Sequence, residues 1–99
     1  MRPASACLLA GIALAPACGH SDAQAHEAYV WEQSCAPCHA IAPGRASPDT
    51  SAPNLSTVHP SREQVRRAII DGRPGMPRGL VGGDDVDAVA DYVVRRTAR

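Results

Sequence analysis

The sequence predicts a single small all-α domain with three main helices, and three observations predict it. Apolar residues recur at helical spacing in three stretches. No run of four or more residues alternates apolar and polar as a half-buried strand would. Segments rich in Pro and Gly separate the three stretches. The first stretch covers residues 27–38, where Ala28, Trp31, Cys35 and Cys38 fall on one face. The second opens at Ser61, which forms a capping box with Gln64. Pro60 blocks any helix upstream, Val65, Ala68 and Ile69 form the apolar stripe, and Gly72 is a natural stop. The third opens near Asp84, with Val86, Val89, Ala90, Val93 and Val94 on one face. Asp84, Asp85 and Asp87 lie at its positive end and Arg95, Arg96 and Arg99 near its negative end, each placement worth ~0.3–1 kcal/mol. Residues 40–57 and 73–83 read as loops; the polar part, 40–52, is expected to be mobile.

Ninety-nine residues fit one domain at most. The ten basic residues are all Arg and balance ten acidic ones, for a net charge of zero. With no basic stripe, a nucleic-acid binder is excluded. Aromatics are 3% of the chain: one Trp, two Tyr and no Phe. A domain this small and this short of rings needs a staple, whether disulfide, metal or cofactor. The four cysteines say where to look.

Residues 1–25 read as an export signal. Arg2 gives a positive start, Cys7 to Ala15 are uncharged and apolar, and Pro16 breaks the run. The run falls well short of the ~20 residues that span a bilayer. Two exits are open. Ala23-Gln24-Ala25 is a small-x-small cleavage site, and Cys18 directly follows the apolar run, as in lipoproteins. The usual lipobox has Leu three residues before its Cys; here Ala15 stands there and Leu14 is one place too early. Cleavage after Ala25 is therefore set ahead, leaving residues 26–99 as the mature domain. Export would place the chain in the periplasm or on the outer face of the cytoplasmic membrane, with membrane attachment only through a lipidated Cys18. That compartment is oxidising.

Cys35-Ala36-Pro37-Cys38-His39 carries the chemistry. Cys-x-x-Cys-His is the attachment pattern of a c-type haem. Two cysteines three apart on a helix point the same way, so both sulfurs can reach the two vinyl groups, and the adjacent His can take an axial position on the iron. Rival readings are a thioredoxin-like dithiol, a zinc site drawing on His20, His26 or His59, and a structural 35–38 disulfide. The first lacks its βαβ context, and the second lacks paired metal spacing. For the other axial position, Met76 is the candidate, in the loop Gly75-Met76-Pro77. Gly75 is expected to permit close backbone approach and Pro77 to stiffen the exit. His59, before Pro60, reads as a surface residue.

With these residues in view, the chain resembles a class I bacterial monohaem cytochrome c along nearly all of residues 26–99. The resemblance rests on the Trp31-to-Cys38 helix, the Cys-x-x-Cys-His motif, Ala52-Pro53-Asn54-Leu55, Gly75-Met76-Pro77 and Val89-Ala90-Asp91-Tyr92-Val93. It implies three helices and loops wrapped around one covalently bound haem c, with Cys35 and Cys38 as attachment points and His39 and Met76 as iron ligands. It implies crossed first and last helices carrying Trp31 and Tyr92, with Leu55 also packing on the haem. It also implies that the Pro53 carbonyl accepts from the His39 ring, fixing the imidazole. The chain departs in lacking a Gly at the helix crossing, where Ala28 stands in, and in lacking any Lys for docking.

The expected function is one-electron transfer rather than enzymatic turnover, by a monomer that meets redox proteins such as a respiratory complex, oxidase or dehydrogenase. The alternatives are a five-coordinate haem that binds a gas or peroxide, and a dithiol oxidoreductase. Arg73 and Arg78 flank the Met76 loop and are expected to give a local positive rim for docking.

Overall fold

The computed structural model describes residues 21–98; the apolar run and Cys18 lie outside the described residues. Among the described residues four helices follow one another: α1 (Asp22–Ser34), α2 (Leu55–Val58), α3 (Arg62–Asp71) and α4 (Asp84–Thr97). Among the described residues there is no strand, only an isolated bridge between Arg73 and Met76. The domain is all-α, as the sequence predicts.

The first helix differs from the expected 27–38 at both ends. It begins earlier because Ser21 caps it: the Ser21 hydroxyl accepts from the Gln24 N–H at 3.1 Å, and the Gln24 side chain accepts from the Ser21 N–H. It ends earlier because Pro37 has no N–H to offer the Gln33 carbonyl, and its ring crowds that carbonyl. The expected loop 40–57 contains the short α2, whose first turn is capped by the Asn54 side chain accepting from Ser56 N–H at 2.8 Å. α3 and α4 start where expected. Ser61 and Gln64 form the predicted capping box, and Gly72 ends α3 at φ +75°.

The core lies where α4 packs on α1 and α3. Val89 and Val93 are fully buried, and Val30, Trp31, Ile69, Val81, Val86 and Tyr92 complete the cluster. The predicted stripe of α4 is confirmed, except that Val94 is only half-buried. Trp31 and Tyr92 meet at the α1–α4 contact, ring centroids 6.0 Å apart and tilted by 31°. Such a pair adds ~0.5–1.5 kcal/mol beyond its buried area. Ala28 is half-buried against the same cluster.

Charged residues brace the outside. Arg62 reaches Asp91 at 2.7 Å and Arg66 reaches Asp87 at 2.8 Å, linking α3 to α4. His26 meets Asp85 at 2.7 Å, and Glu27 pairs with Arg95, linking α1 to α4. Exposed pairs of this kind contribute ~0–1 kcal/mol each. His59 corrects the expectation of a surface residue. It is half-buried, sits in the left-handed region at φ 51°, and its Nδ1 donates to the Thr97 carbonyl at 2.6 Å. That carbonyl belongs to the last turn of α4, which has no partner within the helix.

Candidate haem-binding site

The motif begins where α1 stops. The Cys35 and Ala36 N–H groups both donate to the Trp31 carbonyl at 2.9 Å. The Cys38 and His39 N–H groups then donate to the Cys35 carbonyl, at 3.1 and 2.9 Å. One further helical turn thus carries both thiols and the imidazole. Neither cysteine is in a disulfide; Cys35 is half-buried and Cys38 exposed. Burial first, and the neighbouring Cys38 second, push the Cys35 thiol up to about 11.

His39 Nδ1 lies 2.8 Å from the Pro53 carbonyl. A carbonyl can only accept, so Nδ1 carries the proton. In the neutral ring Nε2 then holds a lone pair, and it has no hydrogen-bond partner among the described residues. The donor set fits a haem: two uncommitted thiols one turn apart and an imidazole held in the metal-ligating tautomer.

Three further bonds fix Pro53 relative to the motif. Leu55 N–H donates to the Ala40 carbonyl at 2.9 Å, and the Asn54 amide donates to the Ala42 and Arg45 carbonyls at 2.8 and 2.6 Å. The loop 40–52 is tied elsewhere too. Ala40 N–H donates to the Ser47 hydroxyl at 3.0 Å, and Asp49 N–H to the Cys38 carbonyl at 3.2 Å. The Ser51 hydroxyl and then its N–H hold the Asp49 carboxyl below the usual range. The polar loop expected to be mobile thus carries ties to residues several positions away, which its composition does not reveal.

Met76 sits in a tight turn. Arg73 and Met76 exchange backbone hydrogen bonds at 3.0 and 2.7 Å, with Pro74 and Gly75 between them. Gly75 has φ +80°, which the third position of a type II turn requires. A Cβ there would meet nothing within 4 Å, so positive φ, not close approach, explains this glycine. The close approach falls at Gly72, where a Cβ would stand 3.0 Å from both Arg78 N and Met76 O. Gly79 N–H donates to the Ile69 carbonyl at 2.8 Å and seats the loop on α3. Met76 is half-buried and packs against the core cluster, as do Cys35 and Leu55.

A cleft of about 470 Å³ opens beside the motif, with Trp31, Ala36, His39, Ile41, Arg45 and Arg96 among its walls. Arg45 and Arg96 join no ion pair among the described residues, and the sequence reading assigns neither to the site. Arg96 instead donates to the Tyr92 hydroxyl at 2.6 Å and lies over that ring. Arg73 and Arg78 are exposed and form no ion pair among the described residues, with exposed Ile70 and Leu80 nearby in the chain. Asn54 was quoted only as part of a motif; its long-range bonds left no local signal beyond the Pro-Asn-Leu order.

An all-α domain with Cys-x-x-Cys-His on the turn leaving its first helix is a c-type cytochrome, a class that carries electrons on haem c. Residues 15–93 match the family model described as cytochrome c oxidase, cbb3-type, subunit III, and the chain belongs to that family. No curated protein matches the chain.

Proposed function

We propose that this chain is an exported one-electron carrier that holds one haem c through Cys35 and Cys38, with His39 and Met76 as axial ligands. The observation that carries the reading is the His39–Pro53 hydrogen bond at 2.8 Å, which leaves Nε2 free to bind iron. When bound, the haem iron supplies the ferric/ferrous couple. Cys35 and Cys38 would hold the haem as thioethers, each S–H adding across a vinyl group with no leaving group. The Pro53 carbonyl orients the imidazole and raises its basicity. The Arg73–Met76 turn presents the Met76 thioether, a ligand type that favours the ferrous state. Trp31, Leu55 and Tyr92 are proposed as apolar walls, giving a core with no Phe the large flat group it lacks.

The dithiol alternative lacks its fold context: among the described residues there is no strand, and the motif follows the end of α1. Among the described residues, which do not include His20, no three His, Cys, Asp or Glu side chains cluster as a zinc site would require.

The partner is proposed to be a redox protein of a respiratory complex, met through the Met76 loop with Arg73 and Arg78 at its rim. The double variant Arg73→Gln/Arg78→Gln is expected to slow reduction by an acidic partner at low salt and less so at high salt. An unchanged rate at low salt would discard this surface. Residues 1–25 are proposed as the export leader, with a lipidated Cys18 as the alternative exit. Among the described residues, no helix is long and apolar enough to cross a membrane.

Acid-acetone extraction of the denatured protein tests attachment. Haem retained on the polypeptide is the expected result; extractable haem, or an unmodified chain with a 35–38 disulfide, overturns it. Met76→Ala tests ligation. The variant should keep its haem, bind carbon monoxide far faster than the parent, and show a lower potential. An unchanged low-spin spectrum would assign the ligand elsewhere; a parent that is already high-spin would favour the gas-binding alternative.

A further inference from the structure

We infer that the leader is cut after Ala17, so that the mature chain begins at Cys18 and keeps Ser21. The inference rests on the export reading above and revises the site at which the chain is processed.

The first turn of α1 is the reason. Its cap, Ser21, and its first four residues all lie ahead of a cut after Ala25. The Ser21 hydroxyl accepts from Gln24 N–H at 3.1 Å, and Ser21 N–H donates to the Gln24 side chain at 3.4 Å. The same Ser-x-x-Gln box opens α3, at 3.1 and 2.8 Å. The sequence therefore writes one helix-start signal twice, and both copies begin a helix of the folded domain.

A cut after Ala25 would discard one of these signals. It would also remove Asp22, the acidic residue of the first turn, and leave a positively charged α-amino group at His26, against the positive end of the helix. His26 and Glu27 reach α4 through Asp85 and Arg95, so the new end would fall on the residues that dock the helix.

The sequence offers a cut that avoids this. Ala15-Pro16-Ala17 is also small-x-small, and it stands directly at the end of the apolar run. Hydrolysis of the bond between Ala17 and Cys18 adds one water and leaves a carboxylate on Ala17 and an amine on Cys18. Cys18, Gly19 and His20 then precede an intact cap.

The test is the intact mass and N-terminal sequence of the holoprotein purified from its native host. A chain starting at Cys18 supports the inference, whether the residue is bare or carries added acyl mass. A chain starting at His26 overturns it while leaving export and haem attachment standing. A chain that retains Met1 overturns this inference and the export reading together. A second measurement tests the physical reason. Holoproteins made behind a foreign leader, one starting at Cys18 and one at His26, should differ in melting temperature, with the His26 form lower. Equal melting would show that the capping box does not matter to the folded domain, and would remove the argument.

Discussion

The α4 interface and the segment from Cys38 to His59 are held together by different physics. At the interface Val89 is 0% exposed and Val93 1%, and the contact is made by Val, Ala and two aromatic rings. In the segment only Ala40 is buried, and the chain is fixed by directional bonds among His39, Ala40, Ala42, Arg45, Pro53, Asn54 and Leu55. Apolar burial is strong but non-directional. Hydrogen bonds add only ~0.5–1.5 kcal/mol each, yet they set positions to a few tenths of an ångström. Stability is thus concentrated in the interface and the placement of His39 in the loop.

Substitutions can break this division or sharpen it. Trp31→Ala removes the largest core side chain and is expected to cost ~3–5 kcal/mol. Against a total of ~5–15 kcal/mol for a domain, that loss should lower the melting temperature of the holoprotein by tens of degrees, while Trp31→Phe should lower it far less. Gly72→Ala forces a Cβ onto two backbone atoms at 3.0 Å and strains a φ of +75°. A cost of ~1–3 kcal/mol is expected, with faster carbon monoxide binding as the Met76 turn shifts. Asn54→Ala removes a helix cap and two loop ties, and should cost ~1–2 kcal/mol. Its distinguishing readout is the reduction potential, which should move because Pro53 no longer holds the His39 ring. If Asn54→Ala lowers the melting temperature and leaves the potential unchanged, the loop is only structural.

The smallest effect is that of acid. Arg66 holds the Asp87 carboxyl below its ordinary range, and Ser51 does the same for Asp49. Each folded value lies below the unfolded one. The stabilisation is therefore fully present above pH ~4 and is lost as pH falls through the folded values. Both groups are exposed, so the melting temperature should drop only slightly more for the parent than for Asp87→Asn between pH 6 and pH 3.

Much of this was legible in the sequence because it is local. The α3 capping box, the Gly72 stop, the α4 stripe and the Cys-x-x-Cys-His turn each depend on neighbours a few residues apart. What was missed depends on partners far along the chain. His59 binds a carbonyl 38 residues away. Asn54 reaches back to Ala42 and Arg45, and these bonds stiffen a loop whose composition reads as mobile. The early end of α1 was readable in principle, since Pro37 bars the helix from continuing, but the apolar face of Cys35 and Cys38 hid it.

The pairs that join α1 to α4 have a kinetic consequence. His26 and Asp85 are 59 residues apart, and Glu27 and Arg95 are 68 apart. Contacts of such sequence separation form late, because the intervening chain must first lose its freedom. During synthesis α1 has no surface to dock on until the last helix has emerged. Under the proposed export as an unfolded thread, this order of events would delay folding on the near side. It would also keep Cys35 and Cys38 open to the proposed haem attachment until the final residues arrive.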